Sequence, residues 1–249
     1  MAKKGSPQQQ NPILWTPTKE RVARSELTRF AEFIKGRFGT FISYSELHRW
    51  SVDSCAEFWS AVWEFFQTIH SKPYTSIINQ PQVDTIFNTT WFAGAELNFA
   101  ENLLRHKGSK TAIIGRDELG RKTTLSYDEL HKHVTHVACY LRSIGVKPGD
   151  RVAAFIPNIP EAAIGMLATA SLGAIWSSCS PDFGVQGVLD RFSQIEPKVF
   201  FTHDGYSYAG KRFDSLDRSA AILEKLPTVQ ATVIVPFLNS DPDITKLKN

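Results

Sequence analysis

An α/β fold is predicted: a helical N-terminal region, then a mostly parallel sheet with helices on both faces. Three observations predict it. From about Lys147 onward, short apolar runs alternate with helical patterns at the spacing of βαβ units. Before that, serines placed three residues ahead of glutamates open amphipathic segments. Of the 249 residues, 42% are hydrophobic and 12% aromatic, which suffices for a substantial core.

The elements follow in order. Residues 1–12, MAKKGSPQQQNP, are polar, carry Gln8–Gln10 and two prolines, and read as a disordered tail. They lack the apolar run of a signal peptide. Lys3, Lys4, Lys19, Arg21 and Arg24 cluster near this end. With a formal net charge of only +3, they read as solvated charges rather than a nucleic-acid arm. Residues 13–105 are expected to be mostly helical, with the pattern clearest over 25–104. Ser54 and Glu57 form a capping box, S-C-A-E, ahead of an apolar helix holding Phe58, Val62, Phe65 and Phe66. Ser43 and Glu46 make a weaker one. Trp50, Trp59 and Trp63 are expected to pack as core.

Residues 106–249 are expected to form the parallel α/β part. Thr111–Ile114 and Lys122–Leu125 flank Asp117-Glu118-Leu119-Gly120, a hairpin signal with its glycine last. Ser126 with Glu129 is another capping box. It opens a helix whose Leu130, Val134, Val137 and Leu141 share one face, and Gly145 stops it. Arg151–Ile156 reads as a strand. Pro160 then starts a helix in its first turn, where a missing N–H costs nothing. Ala162, Ala163, Gly165, Ala168 and Ala170 let that helix approach a sheet closely. Ala174–Cys179, Lys198–Thr202 and Ala231–Val235 read as strands, and Val185–Ile195 and Asp214–Leu226 as helices. In such sheets ligands bind beyond the carboxyl ends of the strands. The loops that matter are therefore 157–160, 180–184 and 203–212.

Several classes fall away. Ala162–Trp176, the longest mainly apolar stretch, is short of a membrane span and is broken by Gly165, Thr169, Ser171 and Gly173. Cys55, Cys139 and Cys179 are far apart and odd in number, which fits reduced cytoplasmic thiols better than disulfides or zinc. His131, His133 and His136 form an H-x-H-x-x-H string, but on one straight helix His131 points away from the other two. No metal site is assigned.

The stretch from Gly205 to Arg212 supports three readings. It matches G-x-x-x-x-G-K, but Arg212 replaces the hydroxyl that a phosphate loop uses to hold Mg²⁺. Gly205-Tyr206-Ser207-Tyr208-Ala209 approximates a nucleophile elbow, yet all seven histidines precede Ser207, whereas that class needs its base downstream. The third reading is a glycine turn presenting Lys211 and Arg212 to an anion, with a plain surface turn as its rival.

Four segments together resemble the acyl-CoA synthetases of the adenylate-forming superfamily. Trp91 to Leu104 follows W-F-x-G-x-x-L-N-x-x-x-N. Gly145 to Val152, GVKPGDRV, is similar to the run that leads into that family's first sheet. Ile156 to Ala162 resembles its M-P-x-x-P-E-A turn. Gly173 to Gly184 carries W-S-S-x-S-P-D-F-G, similar to the acetoacetyl branch rather than the acetyl branch. The order and spacing of the four are specific, and the resemblance runs from about residue 11 to the end.

The resemblance implies the first subdomain of the adenylate-forming fold. It also implies a two-step reaction. A carboxylate and ATP, with Mg²⁺, give an acyl-adenylate and pyrophosphate, and the thiol of CoA then displaces AMP. The family's Ser/Thr/Gly-rich ATP loop and its catalytic lysine lie downstream of the matched region. No catalytic residue is therefore assigned, and the 249 residues alone are expected to be inactive. An R-A-G-R run that meets the nucleotide end of CoA in the acetyl branch falls on Tyr208, Ala209, Gly210 and Lys211, preceded by Asp204. Tyr208 departs from that pattern: it can stack on adenine but supplies no charge. Pro181-Asp182 departs where the acetyl branch has glycines near the pantetheine arm. The partners implied are small molecules, with no nucleic acid and no membrane. The implied location is cytoplasmic. A truncated parallel sheet also predicts self-association through an exposed edge. The alternative is a standalone CoA- or nucleotide-binding or interaction module.

Overall fold

Small polar residues start most of the helices, and most starts fall where the spacing predicts. The structure is a computed structural model that describes residues 13–79 and 88–247. The tail expected over 1–12, with Lys3 and Lys4, lies outside the described residues. The chain divides into two compact units, Met1–Glu96 and Leu97–Asn249.

In the first unit α1 (Lys19–Ala23), α2 (Glu26–Phe38), α3 (Tyr44–Asp53) and α4 (Cys55–Phe65) precede an antiparallel pair, β1 (Ser76–Asn79) and β2 (Thr90–Ala93). That pair is a two-stranded ladder which the periodicity does not announce. The Ser25 hydroxyl caps α2 by accepting from the Thr28 amide at 3.2 Å, and Ser43 caps α3 by accepting from Glu46 at 3.2 Å. The box expected at Ser54 and Glu57 does not form. Ser54 alone separates α3 from α4 and must end one helix while starting the next. Its ψ of 51° departs from the extended geometry that aims a cap hydroxyl at the first-turn amides. Phe30, Ile34, Leu47 and Ala61 form the buried centre of this unit, with Trp50, Phe58 and Phe65 packed on it. Trp63 packs on Phe92 at 4.7 Å. Trp59 does not join the core as expected; it is 38% exposed and meets Trp91 edge-on at 5.8 Å.

The second unit opens with α5 (Phe99–Leu103), capped by Asn98, whose amide also donates to the Ala170 carbonyl at 2.9 Å. The expected hairpin forms as β3 (Thr111–Arg116) and β4 (Lys122–Ser126). The capping box of α6 (Tyr127–Ser143) is complete. Ser126 accepts from the Glu129 amide at 3.2 Å, and Glu129 accepts from the Ser126 amide at 2.8 Å.

The alternating part follows as β5 (Arg151–Phe155), α7 (Pro160–Ser171), β6 (Ile175–Cys179), α8 (Val185–Ile195) and β7 (Val199–His203). Then come β8 (Gly205–Tyr208), β9 (Lys211–Asp214), α9 (Leu216–Leu223) and β10 (Ala231–Val235). The helix expected from Asp214 starts later, because Asp214 is still paired with Gly205 across β8–β9. Four strands make one parallel sheet in the order β10-β7-β5-β6. All of β7 and all of β5 after Arg151 are buried, as central strands covered on both faces must be. On one face Val152, Ala154 and Phe201 pack with Leu141 of α6 and Leu167 of α7. On the other, Phe155 and Phe200 pack with Phe192 of α8 and Ile222 of α9. A Cβ at Gly165 would lie 2.7 Å from the Trp176 ring, so the smallest residue of α7 sits where the helix comes closest to β6.

Candidate functional site

The strand order reverses between β5 and β7. From β5 the chain crosses one way to β6, then returns past β5 to β7. The carboxyl ends of β5 and β7 therefore border the crevice where parallel sheets bind ligands. Phe155 and His203 are the last residues of these strands.

His203 is fully buried. Its Nδ1 lies 3.0 Å from the Phe155 carbonyl, which can only accept, so Nδ1 carries the proton. Nε2 then accepts from the Ser215 hydroxyl at 3.0 Å. Burial pushes the ring's pKa down to about 4, against the pull of the Phe155 carbonyl and Asp204, and the Arg218 cation pushes it the same way. The next residue, Asp204, is buried as well. It accepts from three successive amides, Phe237 at 2.6 Å, Leu238 at 2.9 Å and Asn239 at 2.7 Å. The segment after β10 is thereby folded around one carboxylate.

The stretch read as a glycine loop is a hairpin. β8 and β9 pair antiparallel, with Tyr206 opposite Phe213, Ser207 opposite Arg212 and Tyr208 opposite Lys211. Ala209 and Gly210 form the connection, at φ of 51° and 73°. Two left-handed residues joining two strands fit a two-residue type I′ connection. Sequence reasoning missed these strands because Ala-Gly is an unusual pair for that turn, and only glycine adopts such a φ freely.

This hairpin removes both enzymatic readings of Gly205–Arg212. A phosphate loop needs a loop that runs into a helix, and an elbow needs a sharp strand-to-helix turn, whereas Ser207 lies within β8. Its hydroxyl is buried with no partner among the described residues. His131, His133 and His136 all lie exposed on α6.

The four residues Tyr208, Ala209, Gly210 and Lys211 come together at the hairpin tip. In an antiparallel pair, opposed residues share a face. Tyr208 and Lys211 are therefore side by side, and both are exposed. Among the described residues Lys211 and Arg212 make no ion pair. Below the tip on the same face, Tyr206 and Phe213 stack at 5.2 Å with their planes 19° apart. An aromatic surface ending in an unpaired ammonium suits a planar base joined to phosphate.

The other two loops border the same end of the sheet. In 180–184, the Ser180 hydroxyl donates to Asp182 at 3.0 Å, and Phe183 lies under Arg191 at 4.3 Å. Beside 157–160 lies a cleft of about 160 Å³, walled by Gly115, Arg121, Pro160 and Phe237. Arg121 lies 4.6 Å over the Phe237 ring and donates to its carbonyl at 3.1 Å. Sequence reasoning also missed His203 and Arg218. The signal available for His203 was polar residues ending an all-buried strand, FFTHD, at the ligand-binding edge.

A family model described as AMP-binding enzyme matches residues 99–248. A second, described as acetyl-coenzyme A synthetase N-terminus, matches residues 44–103. The acetoacetyl-coenzyme A synthetase of Rhizobium meliloti (strain 1021) is 47% identical over 225 residues, covering 90% of this chain and 34% of the relative. The acetoacetyl-CoA synthetase of Danio rerio is 38% identical over 243 residues, covering 95% and 36%. The solved structure of the acetoacetyl-CoA synthetase from Streptomyces lividans matches with a TM-score of 0.86 at 41% identity, covering 94% of this chain and 36% of that one. The chain spans about a third of the length of these relatives.

Proposed function

This chain belongs to the AMP-binding enzyme family, and on that premise we propose that it is the N-terminal part of an acid–CoA ligase. The whole enzyme would convert acetoacetate, or a similar short carboxylate, with ATP and CoA into the acyl-CoA. The carboxylate oxygen would attack the α-phosphorus of ATP and expel pyrophosphate. The CoA sulfur then attacks the acyl carbon and expels AMP. The names of the relatives and the W-S-S-x-S-P-D-F-G run support acetoacetate as the acid.

The part we assign to this chain is reception of the nucleotide end of CoA at the β8–β9 tip. The observation that carries it is the pairing of Tyr208 with Lys211 on one exposed face, beside the switch point of the sheet. The Tyr208 ring would take the adenine and the Lys211 ammonium a phosphate, while Ala209 and Gly210 keep the turn tight. ATP, Mg²⁺ and the catalytic lysine belong, on this reading, to other parts of the whole enzyme. The 249 residues by themselves would then catalyse nothing, and acid-dependent pyrophosphate release by the purified chain would refute that.

In the whole enzyme, Lys211→Glu should raise the KM for CoA about tenfold or more and leave that for ATP nearly unchanged, the loss expected for one charge-assisted contact. Equal effects on both would sink the assignment. No helix of the described residues is long and apolar enough to cross a membrane. Reduced Cys55, Cys139 and Cys179 support a cytoplasmic location. We also propose that the chain self-associates through β10, which among the described residues pairs with β7 alone.

A further inference from the structure

The loops that follow β6 and β7 are separated by the width of β5. Neighbouring strands are about 4.8 Å apart, so these loops start about 10 Å from each other with no ladder to join them. One side chain crosses that gap. Arg218, on α9, donates to the Pro181 carbonyl at 2.9 Å and to the Asp214 carbonyl at 3.4 Å. Its guanidinium lies 5.6 Å from the Phe155 ring, at the end of β5, and 5.6 Å from the Tyr206 ring, in the hairpin. It also donates to the Ser215 hydroxyl at 3.4 Å, the group that holds His203.

A two-stranded hairpin with a two-residue connection is marginal by itself. This one hangs from the sheet by Asp204 and Gly205 at one root and Asp214 at the other. Its orientation depends on what grips its face. The Tyr206 ring meets Phe213 within the hairpin at 5.2 Å and, from outside it, the Arg218 guanidinium at 5.6 Å and the His203 ring at 6.1 Å. Arginine suits this task because its planar guanidinium stacks on rings while its edges donate to carbonyls.

We infer that Arg218 is a positioning residue: by covering the Tyr206 ring while holding Pro181, it fixes the β8–β9 hairpin, and with it Tyr208 and Lys211, against the 180–184 turn. The inference rests on the reading that the hairpin tip receives CoA. It places the two departures at Tyr208 and Pro181 in one mechanical unit.

The test uses the 249-residue chain and two readouts. The first needs no ligand: the heteronuclear NOE of backbone amides 205–214, which reports their order. Arg218→Gln should loosen these amides while those of β7 and α9 keep their order. The second is calorimetric titration with CoA. Arg218→Gln should weaken binding about tenfold or more, whereas Lys211→Glu should weaken it and leave hairpin order intact. An equally ordered hairpin in Arg218→Gln would overturn the inference. If the unaltered chain binds no CoA up to about 1 mM, the CoA reading fails, and the amide order alone decides whether Arg218 holds the hairpin. Should Arg218→Gln not fold, Tyr206→Leu removes the ring and leaves the guanidinium. The same loosening and the same weakening are then expected, and a hairpin as ordered as in the parent would overturn the inference by that route too.

Discussion

The His203 ring donates from Nδ1 to the Phe155 carbonyl at 3.0 Å, tying the ends of two adjacent strands at the switch point. Burial keeps the ring neutral in the fold, with a pKa pushed down to about 4, and leaves Nε2 able to accept from the Ser215 hydroxyl at 3.0 Å. The unfolded chain, near 6.5, binds the proton first. The stability that the neutral ring contributes is therefore complete above about pH 6.5 and is lost as pH falls toward 4, amounting to about 3 kcal/mol. Urea unfolding of the parent chain and of His203→Gln from pH 7 to 4 checks this. The advantage of the parent should shrink steadily across that range, and a gap independent of pH would count against it.

Asp204 gathers the amides of Phe237, Leu238 and Asn239 around one buried carboxylate. Asp204→Ala leaves these three amides and the Asn239 side-chain amide, which donates at 3.2 Å, without that partner. The expected loss is about 3 kcal/mol or more, read as a lower urea midpoint with the slope unchanged. Asp204→Asn keeps one acceptor and should lose less. A loss below about 0.5 kcal/mol for the alanine variant would mean that water replaces the carboxylate fully.

Ala209 holds a φ of 51° at the hairpin tip, a conformation that costs an alanine about 1 kcal/mol. Ala209→Asn creates the Asn-Gly pair favoured in this turn. We expect it to raise stability by up to about 1 kcal/mol, seen as a small rise in Tm. A fall in Tm would show that the turn is not the one described.

Gly165 faces the Trp176 ring, with no room for a methyl group. Gly165→Ala would gain helix propensity, worth about 1 kcal/mol, but must push α7 off β6. Overpacking should win, with a net loss of about 1–2 kcal/mol by chemical denaturation. A more stable variant would show that the helix is free to shift.

The sequence of β10, ATVIV, has no charge, no proline and β-branched residues throughout its second half, so the edge that no other strand pairs with among the described residues lacks the usual guards against pairing. Light scattering should show a mass that rises with concentration in the micromolar range, and Ala231→Lys should suppress that rise. A parent chain that stays monomeric to about 100 µM would remove the proposed self-association.

Much of this architecture was legible in one dimension. Periodicity located the five alternating elements from β5 to β7 because each buries a continuous apolar stretch, and an α/β sheet leaves few ways to arrange them. The Ser126–Glu129 box marked a helix start because it satisfies orphan amides within three residues of the chain, and Pro160 marked another because it lacks the amide that would be orphaned there. The box at Ser54 failed although its letters were right, because its geometry was set by the preceding helix. Tyr208 to Lys211 were found by resemblance, but their pairing across a strand was not, since the turn residues do not advertise it.

What the residue pattern carries is local: where strands and helices lie, which faces are apolar, and which segments resemble a ligase that uses CoA. The packed fold was needed to see that His203 is buried and neutral, that Asp204 organises a segment about 34 residues away in the chain, and that Arg218 bridges two loops. Such contacts depend on groups distant in sequence that meet once the sheet has ordered its strands, and no spacing along the chain encodes that distance.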